Sequence, residues 1–191
     1  MRIRIVSYIV SSLLLFFCSA SRSQTKIADI TFPNSFIAGK DNLVLNGGGV
    51  RKKYWMEMYV AGLYLSSKSK DADQIVTSNS PMAIRICIVS GLISSAKMRE
   101  AVEEGFKKST NDNTIAYKDK IEKFQNAFSE PIKIGDVFDI VHTAELISIY
   151  KNNIPKIEIP GLDFKKAVFG IWLGINPADE NIKAGMLGAT D

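Results

Sequence analysis

Residues 45–65 read LNGGGVRKKYWMEMYVAGLYL, three consecutive glycines and an arginine leading into a long apolar run. Gly47, Gly48 and Gly49 can adopt φ > 0 and bring backbone close to another group. The stretch therefore predicts a tight turn that delivers Arg51 to the mouth of whatever the next strand lines. From 52 to 65 the side chains alternate, with Trp55, Glu57, Tyr59, Ala61 and Leu63 on one face and Tyr54, Met56, Met58, Val60, Gly62 and Tyr64 on the other. Neither face is polar, which predicts a strand buried on both sides of a layered protein, about 45 Å long if unbroken. Glu57 is the odd residue on it.

Working outward, Leu43-Val44-Leu45 predicts a short strand ending at the glycines, and Ile27, Ile30 and Phe32 an earlier one stopped by Pro33. Asp71 is placed to cap a short helix through Ile75 and Val76, closed by the turn at 78–81. Met82, Ile84, Ile86 and Ile88 alternate with Ala83, Arg85, Cys87 and Val89, a second strand buried on both faces. Ser94 or Ser95 caps a helix with Met98, Ala101, Val102, Gly105 and Phe106 on one stripe, and a partner helix follows with Tyr117, Ile121, Phe124 and Phe128 inward. Strands are predicted near 137–142, 145–150 and 156–159. Phe164, Ala167, Val168, Ile171 and Trp172 fall at helical spacing, with Gly174 as a C′ residue, and Pro177 begins a last short helix ending at Gly188. This order describes an α+β domain: one antiparallel sheet with helices on a single face.

The first residues stand apart. Arg2 and Arg4 precede an apolar run over 5–17, and Cys18, Ser19 and Ala20 supply small residues, the three regions of a secretory signal peptide. Residues 1–23 are read as that leader, cut after Ala20 or Ser23, and 24–191 as the domain, exported to a periplasm or secreted. The run is short for a membrane span, and Phe16 and Phe17 are bulky where lipid attachment at Cys18 needs small residues.

Without the leader, 21 basic side chains face 20 acidic ones, so the formal charge of +4 is largely the leader's, and a nucleic-acid-binding field is excluded. Cys87 is then the one thiol, so no disulfide can form within the domain. His142 is the one histidine, which excludes zinc sites built from several His and Cys ligands, and no cofactor fingerprint occurs.

Two arginines remain to be placed. Arg85 sits mid-strand, where a permanent charge needs a carboxylate or a ligand oxygen, and Glu57 is an available partner. Arg51 is a fork-shaped donor at the edge of an apolar cleft, suited to a carboxylate or phenolate. Tyr59, Tyr64 and Tyr117 are candidate core aromatics or ligand contacts.

The runs GGGVRKKYWMEMYVAGLYL, SSAKMREAVEEGFKKS and DFKKAVFGIWLGINPADENIKAGMLG together resemble the bacterial, exported branch of the chalcone isomerase-like family over nearly all of 24–188. The resemblance implies an open-faced β-sandwich, a large antiparallel sheet covered by helices on one face with a cleft between. In the family's plant enzymes an arginine of this glycine-rich run stabilises a phenolate during cyclisation, helped by threonine, tyrosine and asparagine. Arg51 matches the arginine, but Tyr59 stands at the threonine's place and Met98 and Gly105 at those of the tyrosine and asparagine. Losing that network removes proton handling and oxyanion stabilisation worth about 100-fold each.

Other members of the family are similar to fatty-acid-binding proteins that keep the arginine. The resemblance thus implies a non-catalytic protein holding a fatty acid or other apolar anion, with Arg51 as anchor and Tyr59, Arg85, Met98 and Tyr117 as further contacts. Met56, Met58, Phe106, Phe124 and Trp172 are available to line the slot. The alternatives are an intramolecular lyase acting on an unsaturated phenolic substrate, and an interaction protein whose cleft is filled. The ligand-binding reading expects a cavity of a few hundred cubic ångströms beside Arg51.

Overall fold

The structure is a computed structural model that describes residues 24–189; the leader read over 1–23 lies outside them. Seven strands form one antiparallel sheet in chain order: β3 (Ser35–Ala38), β4 (Asp41–Lys53), β5 (Met56–Leu65), β6 (Met82–Ile88), β7 (Val137–Thr143), β8 (Leu146–Lys151) and β9 (Ile154–Pro160). A separate hairpin, β1 (Gln24–Ile27) and β2 (Ile30–Pro33), precedes it. The expected single early strand is thus two, because Ala28 at φ 50° reverses the chain.

Helices α1 (Ala72–Thr77), α2 (Ser95–Ser109), α3 (Lys118–Asn126), α4 (Leu162–Leu173) and α5 (Glu180–Met186) complete the fold. Asp71 and Ser94 cap α1 and α2 as expected. Ala61, Leu63, Ile84, Ile86, Phe138 and Ile140 of the sheet meet Phe106, Phe124, Phe164 and Trp172 of the helices in one core. The rings of Phe106, Phe124 and Phe164 pack at 5.3–6.1 Å between centroids. On the opposite face Val60, Tyr64, Ala83, Cys87 and Val141 meet Phe32 of the small hairpin in a second, smaller core. Gly62 leaves room for that Phe32 ring, since a Cβ there would lie 2.9 Å from it. This is the α+β domain that the order of elements predicts and the open-faced sandwich that the resemblance implies, with the open face partly covered by the hairpin.

The opening stretch departs from expectation. The strand predicted to end at the glycines runs through them, and the long strand is two strands joined by a turn at Tyr54 and Trp55, with φ of 49° and 57°. Two consecutive residues with φ > 0 make a two-residue hairpin turn, normally the work of Asn and Gly. Tyr54 and Trp55 are therefore exposed, not buried. A bulge between Arg51 and Lys52 leaves Met58 without a cross-strand partner, so strict alternation fails there and Met58 packs with the helix-side core.

The glycines serve close packing. A Cβ on Gly47 would lie 2.3 Å from the Gly185 carbonyl oxygen, and one on Gly49 3.0 Å from Ile182 Cα. Gly185 in turn faces the Gly48 carbonyl at 2.4 Å from where its own Cβ would be. Helix α5 thus lies directly on the β4 backbone, a contact that side chains on either partner would prevent. Two smaller expectations change at this end. Asp179, not Pro177, starts α5 by capping Asn181 and Ile182, and Gly174 closes α4 at φ −68° rather than in the left-handed region.

Candidate functional site

Arg51 and Tyr59 are direct cross-strand partners, Arg51 near the end of β4 and Tyr59 near the start of β5. Directly opposed residues share a face, and Tyr59 packs with the helix-side core, so both lie beneath the helices. Helix α4 brings Trp172 over them: its Nε1 donates to Tyr59 Oη at 3.1 Å. Burial pushes the Tyr59 phenol above its ordinary pKa, against smaller opposing effects of the Trp172 hydrogen bond and Arg51, so the hydroxyl stays neutral.

The Arg51 guanidinium already holds a carboxylate. Its Nη1 donates to Asp179 Oδ2 at 2.9 Å and to the Lys52 carbonyl, also at 2.9 Å. Among the described residues Nη2 and Nε make no hydrogen bond, so the fork is half used. The pair is partly open, with the arginine side chain 28% and the aspartate 11% exposed. Asp179 also caps α5 through its other oxygen, so one carboxylate joins β4 to the helix start. At the far end of α5 Asn46 completes the attachment. Its Nδ2 donates to the Met186 carbonyl at 2.8 Å and to the Ser69 carbonyl at 2.9 Å, and its Oδ1 accepts from Ser69 N.

The other predicted contacts do not converge on Arg51. Arg85 lies on the opposite face of the sheet, where its Nε and Nη2 donate to the two oxygens of Asp139 at 2.7 and 2.9 Å and its guanidinium lies 5.3 Å from the Phe36 ring centroid. The expected Glu57–Arg85 pair is absent because Asp139 stands directly across from Arg85 on β7, while Glu57 points to solvent and meets Lys52 at 3.7 Å. Met98 is buried in the helix-side core. Tyr117, in a 3-10 turn (Ile115–Tyr117), packs on Phe164 at 6.2 Å and lines a cleft of about 510 Å³ between α1, α2 and α4. Phe106 and Phe124 are closed core residues, and Gly105 is backed by Ile171. Five clefts among the described residues are lined by other side chains than Arg51, Tyr59 and Trp172, so none of the five is the cavity expected beside Arg51.

Asp179 and Asn46 are the residues that sequence reasoning passed over. Asp179 carries a readable signal, an N-cap type directly before Glu180 and a short helical run. No group of three or more metal-ligating side chains occurs among the described residues, and none of their helices is long and apolar enough to cross a membrane.

One family spans the sheet and the covering helices: its sequence model, described as chalcone isomerase-like, matches residues 24–188. The chain belongs to the chalcone isomerase-like family. Among solved structures it is similar to a fatty-acid binding protein of Arabidopsis thaliana, at a TM-score of 0.67 and 18% identity, covering 83% of this chain and 92% of that one. That likeness establishes the chalcone isomerase-like fold independently of the sequence match. No curated protein sequence matches the chain. Arg51 sits under the helices on a strand held by α5.

Proposed function

We propose that this chalcone isomerase-like protein is non-catalytic and binds a fatty acid or another apolar anion on the helix side of the sheet, with Arg51 holding the carboxylate. The observation that carries the reading is the carboxylate already seated on Arg51, that of Asp179, with two further guanidinium donors unengaged. Asp179 stands where the head group of a ligand would, and the apolar core begins immediately beside it at Trp172 and Tyr59. That a similar fold belongs to a fatty-acid binding protein supports the same reading. Uptake requires Asp179 to release Arg51, and with it 174–179 and the start of α5 to shift off β4. Transfer of a dozen methylenes at about 0.8 kcal/mol each outweighs the loss of a part-exposed ion pair worth about 1 kcal/mol or less.

Two of the three positions that match the enzymes' polar partners, Met98 and Gly105, carry no polar side-chain group, which argues against cyclisation. Met98 is in the core, and a side chain on Gly105 would collide with Ile171. Export through a cleaved leader over 1–23 is part of the same proposal and rests on the sequence of that segment. Native mass spectrometry of the protein purified from its own host tests the binding role. An apolar acid is expected to co-purify with the parent protein and to be depleted from Arg51→Ala; no apolar ligand in either sample overturns the reading. Cyclisation of a chalcone that disappears in Arg51→Ala would replace it with the lyase.

A further inference from the structure

Nine large hydrophobic side chains are exposed among the described residues, and six of them sit at one end of the sheet. Tyr54 and Trp55 form the β4–β5 turn, 70% and 90% exposed, and Met56 follows. Leu92 lies in the loop leaving β6, which starts beside Met58, since Val89 N donates to the Met58 carbonyl. Ile134 lies in the segment entering β7, tied to the end of β6 by the Gly135 and Ile88 amides. Ile154 opens β9 at the turn from β8, whose Asn152 accepts from Val137 N. Strand spacing places these groups along a rim about 20 Å wide. The other three, Ile37, Ile115 and Ile175, are scattered singly.

The rim carries cations that the fold does not neutralise. Lys53, Lys97 and Lys133 are exposed and have no carboxylate within ion-pair distance among the described residues. Lys53 stands behind the aromatic tip, with its Nζ 5.9 Å from the Tyr54 ring centroid. Other charges at this end are paired: Lys52 with Glu57, Lys151 with Asp136 and Glu130, Lys156 with Glu130, and Arg51 with Asp179.

We propose that this end of the sheet docks on the surface of an anionic lipid bilayer, inserting the Tyr54-Trp55-Met56 tip. Amphipathic Trp and Tyr rings settle at the level of lipid head groups, aliphatic neighbours reach just below, and unpaired lysines meet lipid phosphate. A protein partner with an apolar patch would bury the same side chains, but Lys53 at the tip and two further lysines without a carboxylate partner fit a uniformly anionic surface. The inference does not depend on the ligand proposed above, and it places Arg51, four residues before Trp55, close to the bilayer.

The test is co-sedimentation of the domain with vesicles of phosphatidylglycerol and phosphatidylethanolamine in equal parts, against vesicles of phosphatidylcholine alone. Binding is expected to the first and to be weak to the second, with a blue shift of tryptophan emission from Trp55, because Trp172 is already buried. Tyr54→Ser with Trp55→Ala should weaken binding about tenfold, and Lys53→Glu with Lys133→Glu should remove the preference for anionic vesicles. Both pairs are exposed, so unchanged thermal melting serves as the control for folding. No sedimentation with either vesicle, or binding that survives the Tyr54 and Trp55 changes, overturns the proposal. So does a dimer in solution that the same changes dissociate, which would make the rim an interface between copies of this chain.

Discussion

Two arginine–aspartate pairs lie on opposite faces of the same sheet, and they are built differently. Arg85 and Asp139 are directly opposed on adjacent central strands, joined by two parallel hydrogen bonds, with Asp139 only 5% exposed. Neither partner can move without the sheet. Arg51 and Asp179 meet through one nitrogen, and Asp179 belongs to the cap of a seven-residue helix reached from a loop. A carboxylate held by one hydrogen-bonded nitrogen at a helix cap has fewer ties to break than one built into a strand. The same kind of pair is thus a fixture on one face and, in the ligand-binding reading proposed above, an exchangeable contact on the other.

Breaking the fixture should have the largest effect. Arg85→Ala leaves Asp139 charged, buried and unpaired, and is expected to cost about 3–5 kcal/mol in urea denaturation. The double change Arg85→Met with Asp139→Leu should recover most of that loss, because an apolar pair replaces a desolvated one. Acid gives the next effect. Burial and the nearby Lys165 charge hold the pKa of His142 down to about 4 from the ordinary 6.5, and its Nδ1 has no partner among the described residues. The unfolded chain therefore binds this proton more tightly than the folded one. The His142 contribution is fully present above pH 6.5 and is lost as pH falls towards 4, by up to about 3 kcal/mol, seen as a falling urea midpoint. The two arginine pairs are best compared above that window.

Smaller effects belong to the exchangeable side. Gly47→Ala should cost about 1–3 kcal/mol by driving a methyl group into the Gly185 carbonyl, and should make α5 amides exchange hydrogen faster than those of β6. Arg51→Ala should change stability by about 1 kcal/mol or less, the pair being partly exposed, yet weaken fatty-acid binding about tenfold or more in calorimetric titration. Asp179→Asn should be nearly neutral for stability, since Asn is an equally good N-cap, and should tighten binding severalfold by removing the competing charge. Equal loss of stability in Arg51→Ala and Arg85→Ala would erase the distinction between the pairs.

The fold was legible wherever local pattern and burial agree. Alternation over 82–88 gave β6, and the apolar stripe from Met98 to Phe106 gave α2. What escaped depended on distant partners. The glycines read as a turn because the reason for them, Gly185, lies far along the chain, and nothing local distinguishes a glycine that bends from one that makes room. Arg85 was paired with Glu57 because strand order was not known; Asp139, 54 residues away, becomes its neighbour only once β7 lies against β6. The real turn at Tyr54 and Trp55 carries neither Asn nor Gly, so turn chemistry gave no warning. Of the candidate site, Arg51 and Tyr59 do stand together, whereas Arg85 and Tyr117 were grouped with them by residue type alone.

The attachment of α5 to β4 also sets an order of assembly. Asn46 reaches the Met186 carbonyl across 140 residues and Arg51 reaches Asp179 across 128. Contacts that distant close late in folding, because the loop between them must be ordered first. Arg51 therefore stays open to water and to any carboxylate in reach until α5 has docked on β4, so the same contact that fastens the helix also closes the site.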